Sequence, residues 1–513
     1  MNKAHEWMTR LRTLASAAGS GGGRGMATAE SPEMRPMEHP DERRLQCLWY
    51  DGRIRPSGLC TVQGEFVEVE HPGEWNLQAG PDFLGASLRI GEDRRPLRGD
   101  VEAHLRPRDW IGHGHTGDPR YRGVVAHVCW SAGTLPDGTL PAGAVEICLG
   151  AAWRANPRCA LEEVDIAAYP WSAPAPPSPC AQALSGWPPE ARECLLSLAG
   201  EERLLRKAAR LHALALERGE DQAVYEELLA GLGYSANKIP ARRLAGRLPW
   251  GELHARAAGN ADTAYALLLG TGGLLPDEGG GHPDPTAQPY VAALHRAWWK
   301  HAGLMEAQRM NPDEWRLAPL RPLNHPLRRL RAAAEWAAHE PHPAARLRAM
   351  AAGRSPADAV TAWIRWLDAP PDAFWSGRIG WNRARVRERG PNLVGAGRAR
   401  ALVINTVVPL MAASGMPAPH WRALLDALPG EEMSLPLREA GRALLGADHP
   451  PSLYRSGLRR QGLLDILQNC CLRQRSPCDA CPLLARLAGL ESRMFEDAAT
   501  SSPTRTSQCP GGA

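Results

Sequence analysis

Two short segments of the chain carry side chains that could bind a metal ion. Asp82 follows a Gly-Pro pair, and the segment 100–104, Asp-Val-Glu-Ala-His, lies about twenty residues further on. Because side chains alternate between the two faces of a β-strand, Asp100, Glu102 and His104 are expected on one exposed or cleft-lining face. Converging carboxylates repel each other unless a cation neutralises them, and their oxygens favour Mg²⁺ or Mn²⁺. The spacing therefore predicts a metal site at Asp82 and Glu102, with His104 as a catalytic neighbour.

These residues resemble part of the PD-(D/E)XK nuclease superfamily. Its members have an aspartate at a strand start, often after proline, and a Glu-x-Lys strand after a hairpin. Pro81-Asp82 and Glu102-Ala103 match this pattern, and His104 stands where the lysine would be. The resemblance implies a nuclease that hydrolyses phosphodiester bonds, in which the metal ion polarises a phosphoryl oxygen and activates a water molecule.

A histidine-rich segment follows this motif. Four of the seventeen histidines fall between Asp100 and Trp130. We expect the polar residues of this region to line the cleft beside the metal site. The predicted cleft-lining residues are Asp100, His113, His115, Asp118, Tyr121 and His127.

The same loop offers an alternative zinc site. His113 and His115 are two residues apart, with Asp118 nearby, and imidazoles and a carboxylate can converge on one ion. The loop resembles the His-x-His-x-Asp-His signature of metallo-β-lactamase-type hydrolases, although the aspartate is one residue further away and the next histidine is absent. A zinc-dependent hydrolase is therefore an alternative function. A polar loop fastened to the sheet by Asp118 and Tyr121 would explain the same residues without catalysis.

The elements that must position these residues change in character along the chain. A short helix is expected over 42–50, and short β-branched or alternating runs separated by turn residues then predict a mixed β-sheet. Five prolines within 170–179 predict a linker, and helical spacing of apolar residues dominates after it. The predicted class is α+β, with an N-terminal mixed-sheet domain, restriction-endonuclease-like by the resemblance above, and a mainly α-helical C-terminal domain.

The domain boundaries follow from these changes. Residues 1–38 and the tail 491–513 are predicted to be disordered. The sheet domain is expected over 39–168, the linker over 169–180 and the helical domain over 181–490. A Gly- and Pro-rich loop near 271–286 is a possible division of the helical domain.

A cysteine group near the end of the helical domain forms a second candidate metal site. The spacing Cys471-x₆-Cys478-x₂-Cys481 is suitable for a zinc ion or an iron–sulfur cluster. It resembles the iron–sulfur loop of helix-hairpin-helix DNA glycosylases, whose fourth cysteine would fall where Leu487 stands. Cys470 or a histidine elsewhere could complete the set, and a buried cysteine cluster without metal is the alternative.

Charge and composition limit the partners only partly. The net charge of +4 neither requires nor excludes DNA or RNA. Arg321, Arg328 and Arg329 form a basic segment that could bind nucleic-acid phosphates. A non-catalytic nucleic-acid-binding or scaffold protein with a degenerate nuclease fold is therefore a further alternative.

The same composition indicates the cellular setting. The sequence contains no run of eighteen apolar residues, so it predicts no membrane-spanning helix. Twelve cysteines are too few for a disulfide scaffold, which predicts a reducing, cytoplasmic setting.

Most of the chain, from about residue 42 to 487, also resembles a bacterial family known only as DUF2851. The stretches that carry this resemblance include Gly80-Pro81-Asp82-Phe83, Asp109-Trp110, His113-Gly114-His115 and the terminal cysteines. The position of His104 also resembles a histidine in that family. The departure from lysine is then a family feature, which favours a divergent site over one that has decayed.

Overall fold

The computed structural model describes residues 39–77, 79–170, 178–276, 284–301, 303, 306–317, 322–378, 380–381, 392–431, 433–472, 478, 481, 483–484 and 487. The segments 1–38 and 491–513, predicted to be disordered, lie outside these residues, as do parts of the predicted linker and of the loop 271–286. The predicted α+β class is confirmed, because a mixed sheet is followed by a mainly helical region.

A six-stranded mixed sheet forms in the N-terminal part of the described chain. In chain order the strands are β1 (Val67–His71), β2 (Glu74–Trp75), β3 (Phe83–Ile90), β4 (Arg95–His104), β5 (Val124–Cys129) and β6 (Val145–Cys148). The order across the sheet is β1-β3-β4-β5-β6, and β2 also pairs with β3. β1 and β4 are antiparallel to β3, whereas β5 is parallel to both β4 and β6. β4 therefore lies where the antiparallel and parallel halves of the sheet meet.

The first helix, α1 (Glu42–Tyr50), has the bounds that the sequence predicts. The Asp41 side chain caps it by accepting a hydrogen bond from the Arg44 backbone N–H at 2.8 Å. Leu45, Leu48 and Trp49 are fully buried. The helix therefore contributes apolar side chains to the core, and its polar Gln46 is buried with them.

The remaining helices follow in chain order. They are α2 (Asp109–Gly112), α3 (Leu149–Ala155), α4 (Pro179–Ser185), α5 (Pro189–Arg218), α6 (Glu220–Leu232), α7 (Tyr234–Arg247), α8 (Trp250–Ala257), α9 (Ala261–Thr271), α10 (Gln288–Trp299), α11 (Pro326–His339), α12 (Pro343–Ala351), α13 (Pro356–Leu367), α14 (Ala396–Leu402), α15 (Val408–Ala413), α16 (Ala418–Ala427), α17 (Leu435–Leu445) and α18 (Gly457–Ile466). Two π-helical turns, Val403–Val407 and Leu467–Cys471, follow α14 and α18. Short 3₁₀ turns occur in the connections, among them Pro119–Tyr121 and Leu161–Glu163.

The chain divides into two compact units. One contains the described residues of 33–171 and 204–432, and so includes the sheet. The other contains those of 172–203 and 433–513. The division at 203 and 204 falls within α5, and the domain boundaries predicted from the sequence stay predictions. Over the described residues, no helix combines the length and apolar content that crossing a membrane requires.

Candidate metal centre

The antiparallel register of β3 and β4 brings Asp82 beside Glu102. The Asp82 backbone N–H donates to Glu102 Oε2 at 2.9 Å. The Asp82 carboxylate accepts hydrogen bonds from Gln46 Nε2 at 2.7 Å and from the Ala103 backbone N–H at 2.8 Å. Asp82 and Glu102 are both buried. Asp82 thus braces the strand that carries Glu102, and its predicted role as a metal ligand stays a prediction.

The second oxygen of Glu102 faces a group of imidazoles. Glu102 Oε1 lies 3.5 Å from His104 Nε2 and 3.3 Å from His115 Nε2. His104 Nε2 lies 3.1 Å from His113 Nδ1, and the ligand atoms of the three histidines all lie within 4.8 Å of one another. His104 is fully buried and 10% of the His115 side chain is exposed, whereas His113 is exposed. One carboxylate oxygen and three imidazoles therefore converge at the edge of the solvent.

The crossover between β4 and β5 positions the two loop histidines. His113 follows α2, and its backbone N–H donates to the Asp109 carbonyl oxygen at 2.8 Å, while the His115 N–H donates to the Trp110 carbonyl oxygen at 3.1 Å. The Tyr121 ring stacks on His115 with ring centroids 3.9 Å apart. The turn and the stacked ring hold both imidazoles against the end of β4, and their cleft-lining role stays a prediction.

A further histidine, His127, contacts the Nδ1 atom of His104. His104 Nδ1 lies 2.9 Å from His127 Nε2, and His127 Nδ1 lies 3.6 Å from Glu146 Oε1. His127, Cys129 and Glu146 also form a compact group of ligand atoms. Burial raises the pKa of the Cys129 thiol well above its usual 9.0, and the Glu146 charge adds to this. These contacts form a chain that runs from His104 through His127 to Glu146.

Two predicted cleft-lining acids have local structural contacts instead. The pairing of β4 with β5 is irregular between Asp100 and Val101, and Asp100 Oδ1 accepts a hydrogen bond from the Gly85 backbone N–H at 3.0 Å. Asp118 caps the turn Pro119–Tyr121 and pairs with Arg120 at 2.6 Å. The hydrogen bonds and charge of Arg120 lower the pKa of Asp118 from 3.8 to about 2. The irregularity adds a residue to β5, since one step along β4 from Asp100 to Val101 corresponds to two steps along β5 from Val124 to Ala126. The cleft-lining role of Asp100 and Asp118 stays a prediction.

The predicted nucleic-acid-binding arginines lie away from this group in the sequence, in and before α11. Arg328 is buried and donates a hydrogen bond to the Trp375 carbonyl oxygen at 2.8 Å. Arg329 is buried and donates to the Tyr234 hydroxyl at 2.7 Å. Arg321 lies outside the described residues. The two described guanidinium groups thus contribute to the interior of the helical region, and phosphate binding by this segment stays a prediction.

Sequence reasoning missed three residues that complete the surroundings of the site. They are Gln46, Cys129 and Glu146. Gln46 is a polar residue on an otherwise apolar helix face, and Glu146 alternates with apolar residues in β6, so both patterns were visible. Neither pattern states which distant strand the side chain will face, because that depends on sheet order.

Comparison with known proteins gives a family but no activity. A family model described as "Protein of unknown function (DUF2851)" matches residues 42–420. The chain belongs to the DUF2851 family. The matched part of this DUF2851 protein contains the whole sheet and the histidine group, and it ends before the C-terminal cysteines. No curated protein and no solved structure matches the chain.

Proposed function

We propose that this DUF2851 protein is a metal-dependent hydrolase whose ion is bound by Glu102, His104 and His115, with His113 at the solvent side. The observation that carries the proposal is the approach of Glu102 Oε1 to the Nε2 atoms of His104 and His115, with His113 Nδ1 beside His104 Nε2. Imidazole-rich donor sets suit zinc, whereas Mg²⁺ and Mn²⁺ prefer sets of oxygen atoms. We therefore favour zinc over the magnesium or manganese that the two carboxylates alone predict.

The spacing of the donor atoms supports a single tetrahedral ion. Zinc lies about 2.0–2.2 Å from nitrogen and oxygen ligands, so tetrahedral donors are separated by about 3.3–3.5 Å. The separations of Glu102 Oε1 from His104 Nε2 and His115 Nε2, 3.5 and 3.3 Å, agree with this value, and His113 Nδ1 lies 3.1 Å from His104 Nε2. A positive ion at this point would also compensate the buried charge of Glu102.

The orientation of His104 supports the same assignment. If His104 Nε2 binds the ion, its Nδ1 carries the proton and donates to His127 Nε2. His127 Nδ1 then carries a proton facing Glu146 Oε1. Each ring nitrogen of His104 and His127 then has a consistent role as donor, acceptor or ligand. His127 and Glu146 act as positioning residues for His104.

His113 is suited to a different role from the buried ligands. Two histidines and one glutamate are a sufficient set for a catalytic zinc ion, whose fourth position takes water or substrate. His113 is the exposed member of the group. We infer that His113 would lie beside the open position of the ion and would exchange a proton with the group there. A bound zinc ion would allow a water molecule to ionise near neutral pH and so would supply the nucleophile.

The charge of the surrounding loop supports an anionic substrate. Four arginines and two aspartates lie between Leu105 and Gly123. Arg106, Arg108 and Arg122 are exposed, and within the described part of the chain none of their guanidinium groups has a carboxylate within 4.0 Å. Exposed guanidinium groups bind phosphate oxygens by charge and hydrogen bonding. Together with the nuclease-like motif, this favours a phosphodiester in DNA or RNA as the substrate, in a cytoplasmic setting.

Metal content and hydrolysis test the proposal together. The full-length protein is assayed for zinc by mass spectrometry in a Cys471→Ser background, so that zinc bound by the C-terminal cysteines is not counted. We expect about one zinc ion per chain, lost in Glu102→Gln and His115→Ala. His71→Ala is the matched control, because His71 is an exposed histidine of the same sheet. Its zinc content should equal that of the parent.

Hydrolysis is then measured on an activated phosphodiester and on single-stranded, double-stranded and branched DNA and RNA. Zinc-dependent cleavage should disappear in Glu102→Gln and His115→Ala, whereas His113→Ala should retain zinc and lose most of its activity. Unchanged zinc in Glu102→Gln and His115→Ala would contradict the metal site. Zinc bound without cleavage of any substrate would contradict the hydrolase and favour a non-catalytic binding or scaffold protein.

A further inference from the structure

A cavity between α12 and α13 has a strongly basic lining. Its volume is about 340 Å³, within the range of about 300–1,000 Å³ that is typical of ligand sites. Three arginines, Arg346, Arg354 and Arg365, line it together with Trp366 and Met350. Among the described residues, no aspartate or glutamate lines this cavity. The cavity therefore combines positive charge with an aromatic ring.

The charges of these arginines are available to a ligand. Arg354 and Arg365 are exposed, and within the part of the chain that the structure describes neither guanidinium group has a carboxylate within 4.0 Å. Arg346 is also exposed, and its Nε lies 3.8 Å from Glu340 Oε2. The Arg354 guanidinium donates a hydrogen bond to the Met350 carbonyl oxygen at 3.0 Å, which orients it. Guanidinium groups in such a setting bind phosphate oxygens by charge and hydrogen bonding.

The Trp366 ring is held in place by its neighbours. It is half-buried and stacks on the buried Trp336 of α11, with ring centroids 5.9 Å apart and an interplanar angle of 16°. Trp363 Nε1 donates a hydrogen bond to the Leu347 carbonyl oxygen at 2.9 Å, which joins α13 to α12. Because the ring is already ordered, stacking a planar ligand on it costs little conformational entropy.

A second cavity, of about 490 Å³, shares Arg346 and Trp366 with the first. It is lined by four acidic residues, namely Glu335, Glu340, Asp368 and Asp372. Their carboxylates disfavour phosphate groups there, but they can accept hydrogen bonds from the amino groups of nucleic-acid bases. The opposite charges of the two cavities therefore suit a ligand that has both phosphates and a base.

We propose that the cavity formed by Arg346, Arg354, Arg365 and Trp366 binds a nucleotide of single-stranded DNA or RNA. The guanidinium groups would bind the phosphates, and an unpaired base would stack on Trp366. The bases of a duplex are stacked on one another, so a duplex cannot use the ring in this way. The binding site stands on the cavity alone. That the bound strand is the substrate of the metal centre rests on the proposed function.

Fluorescence anisotropy with a labelled deoxyadenosine strand of about ten nucleotides tests the proposal. The full-length protein carries Glu102→Gln, so that the strand is not cleaved. Trp366→Leu should weaken binding about tenfold without changing the slope of log affinity against log salt. Arg354→Ala combined with Arg365→Ala should weaken binding and reduce that slope by about 1.4, since each phosphate contact to a single strand contributes about 0.7.

Matched controls come from exposed positions of α10. Trp299→Leu and Arg296→Ala should bind the strand as the parent does, and circular dichroism checks that all variants are folded. Unchanged affinity in both cavity variants would overturn the site. Equal affinity for a stable hairpin duplex, or displacement of the strand by adenosine monophosphate at equal concentration, would overturn the single-stranded ligand. Binding that is lost in the cavity variants, in a protein that cleaves no phosphodiester, would support the site and contradict only the proposed function.

Discussion

At the scale of single residues, Asp82 has structural contacts that its motif does not predict. Its carboxylate accepts hydrogen bonds from two buried donors, Gln46 Nε2 and the Ala103 N–H. Its own N–H donates to Glu102 Oε2. These contacts indicate that Asp82 orients Glu102, whose Oε1 faces the histidines.

Replacing Asp82 should therefore affect stability strongly. Asp82→Ala leaves the Gln46 amide and the Ala103 N–H buried without an acceptor, so we expect the free energy of unfolding to fall by about 2–5 kcal/mol. Urea denaturation monitored by circular dichroism measures this change. Asp137→Ala, at an exposed position, should change it by less than about 0.5 kcal/mol. A loss of similar size in both variants would contradict the bracing role.

Residue identities predicted part of this site. The sequence placed His113 and His115 beside the metal site at Glu102 and His104, and their ligand atoms lie close to that of His104. His127 contacts His104, and Glu146 lies beside His127, because β4, β5 and β6 are neighbours in this order in the sheet. Sheet order is a long-range property that no local pattern in this chain specifies.

At the scale of elements, an irregularity in the pairing of β4 with β5 lies beside the candidate site. One step along β4 from Asp100 to Val101 corresponds to two steps along β5 from Val124 to Ala126, and Gly99 precedes this point. Gly99 has a φ of 159°, and a Cβ atom there would lie 2.4 Å from Val125 Cγ1 and 2.7 Å from the Gly123 carbonyl oxygen. The irregularity therefore depends on close backbone contact with β5.

A side chain at position 99 should disturb the pairing of β4 with β5. We expect Gly99→Ala to lower the free energy of unfolding by about 1–3 kcal/mol, because Val125 or the backbone must move. Thermal unfolding measures the effect. Gly251→Ala is the matched control, since its added methyl group in α8 meets no atom within 4 Å and alanine favours helices. Equal stability of Gly99→Ala and the wild-type protein would contradict this role of Gly99.

The helical elements are joined by a partly buried ionic network centred on Glu227 in α6. Its carboxylate accepts hydrogen bonds from Arg210 in α5 and Arg242 in α7, each at 2.7 Å. Arg242 also pairs with Glu163 at 2.7 Å, next to the sheet region. Burial by itself raises the pKa of Glu227, but Arg210 and Arg242 outweigh it and hold the pKa at about 2, below the usual 4.5.

This lowered pKa predicts the direction of a pH effect. Because the folded-state pKa lies below the unfolded-state value, the stabilisation is present above about pH 4.5 and is lost as the pH falls toward 2. Glu227→Gln should destabilise the protein by about 3 kcal/mol at pH 7, and the difference from the wild type should shrink below pH 4. Denaturant unfolding across this range tests it. Glu217→Gln, at an exposed glutamate, should show little difference at any pH. A pH-independent deficit in Glu227→Gln would contradict the ionic account.

At the scale of the whole molecule, the change from alternating strands to periodic helices was sufficient to predict the α+β class. The association of 172–203 with 433–513 in one unit was not predicted, because nothing local in either segment identifies its partner.

The proposed ion should affect hydrogen exchange only in its own surroundings. Loss of the ion in Glu102→Gln should increase amide exchange in β3, β4 and β5, because the ion holds the end of β4 to the crossover loop. Exchange over 435–471 should stay unchanged. Increased exchange over 435–471 in Glu102→Gln would contradict a local effect of the ion.

The most direct measurement is anomalous diffraction from crystals of the full-length protein at the zinc absorption edge. We predict a peak about 2.0–2.2 Å from Glu102 Oε1, His104 Nε2 and His115 Nε2. The absence of a peak among these atoms, or a metal held between the Asp82 and Glu102 carboxylates instead, would contradict the proposed histidine site.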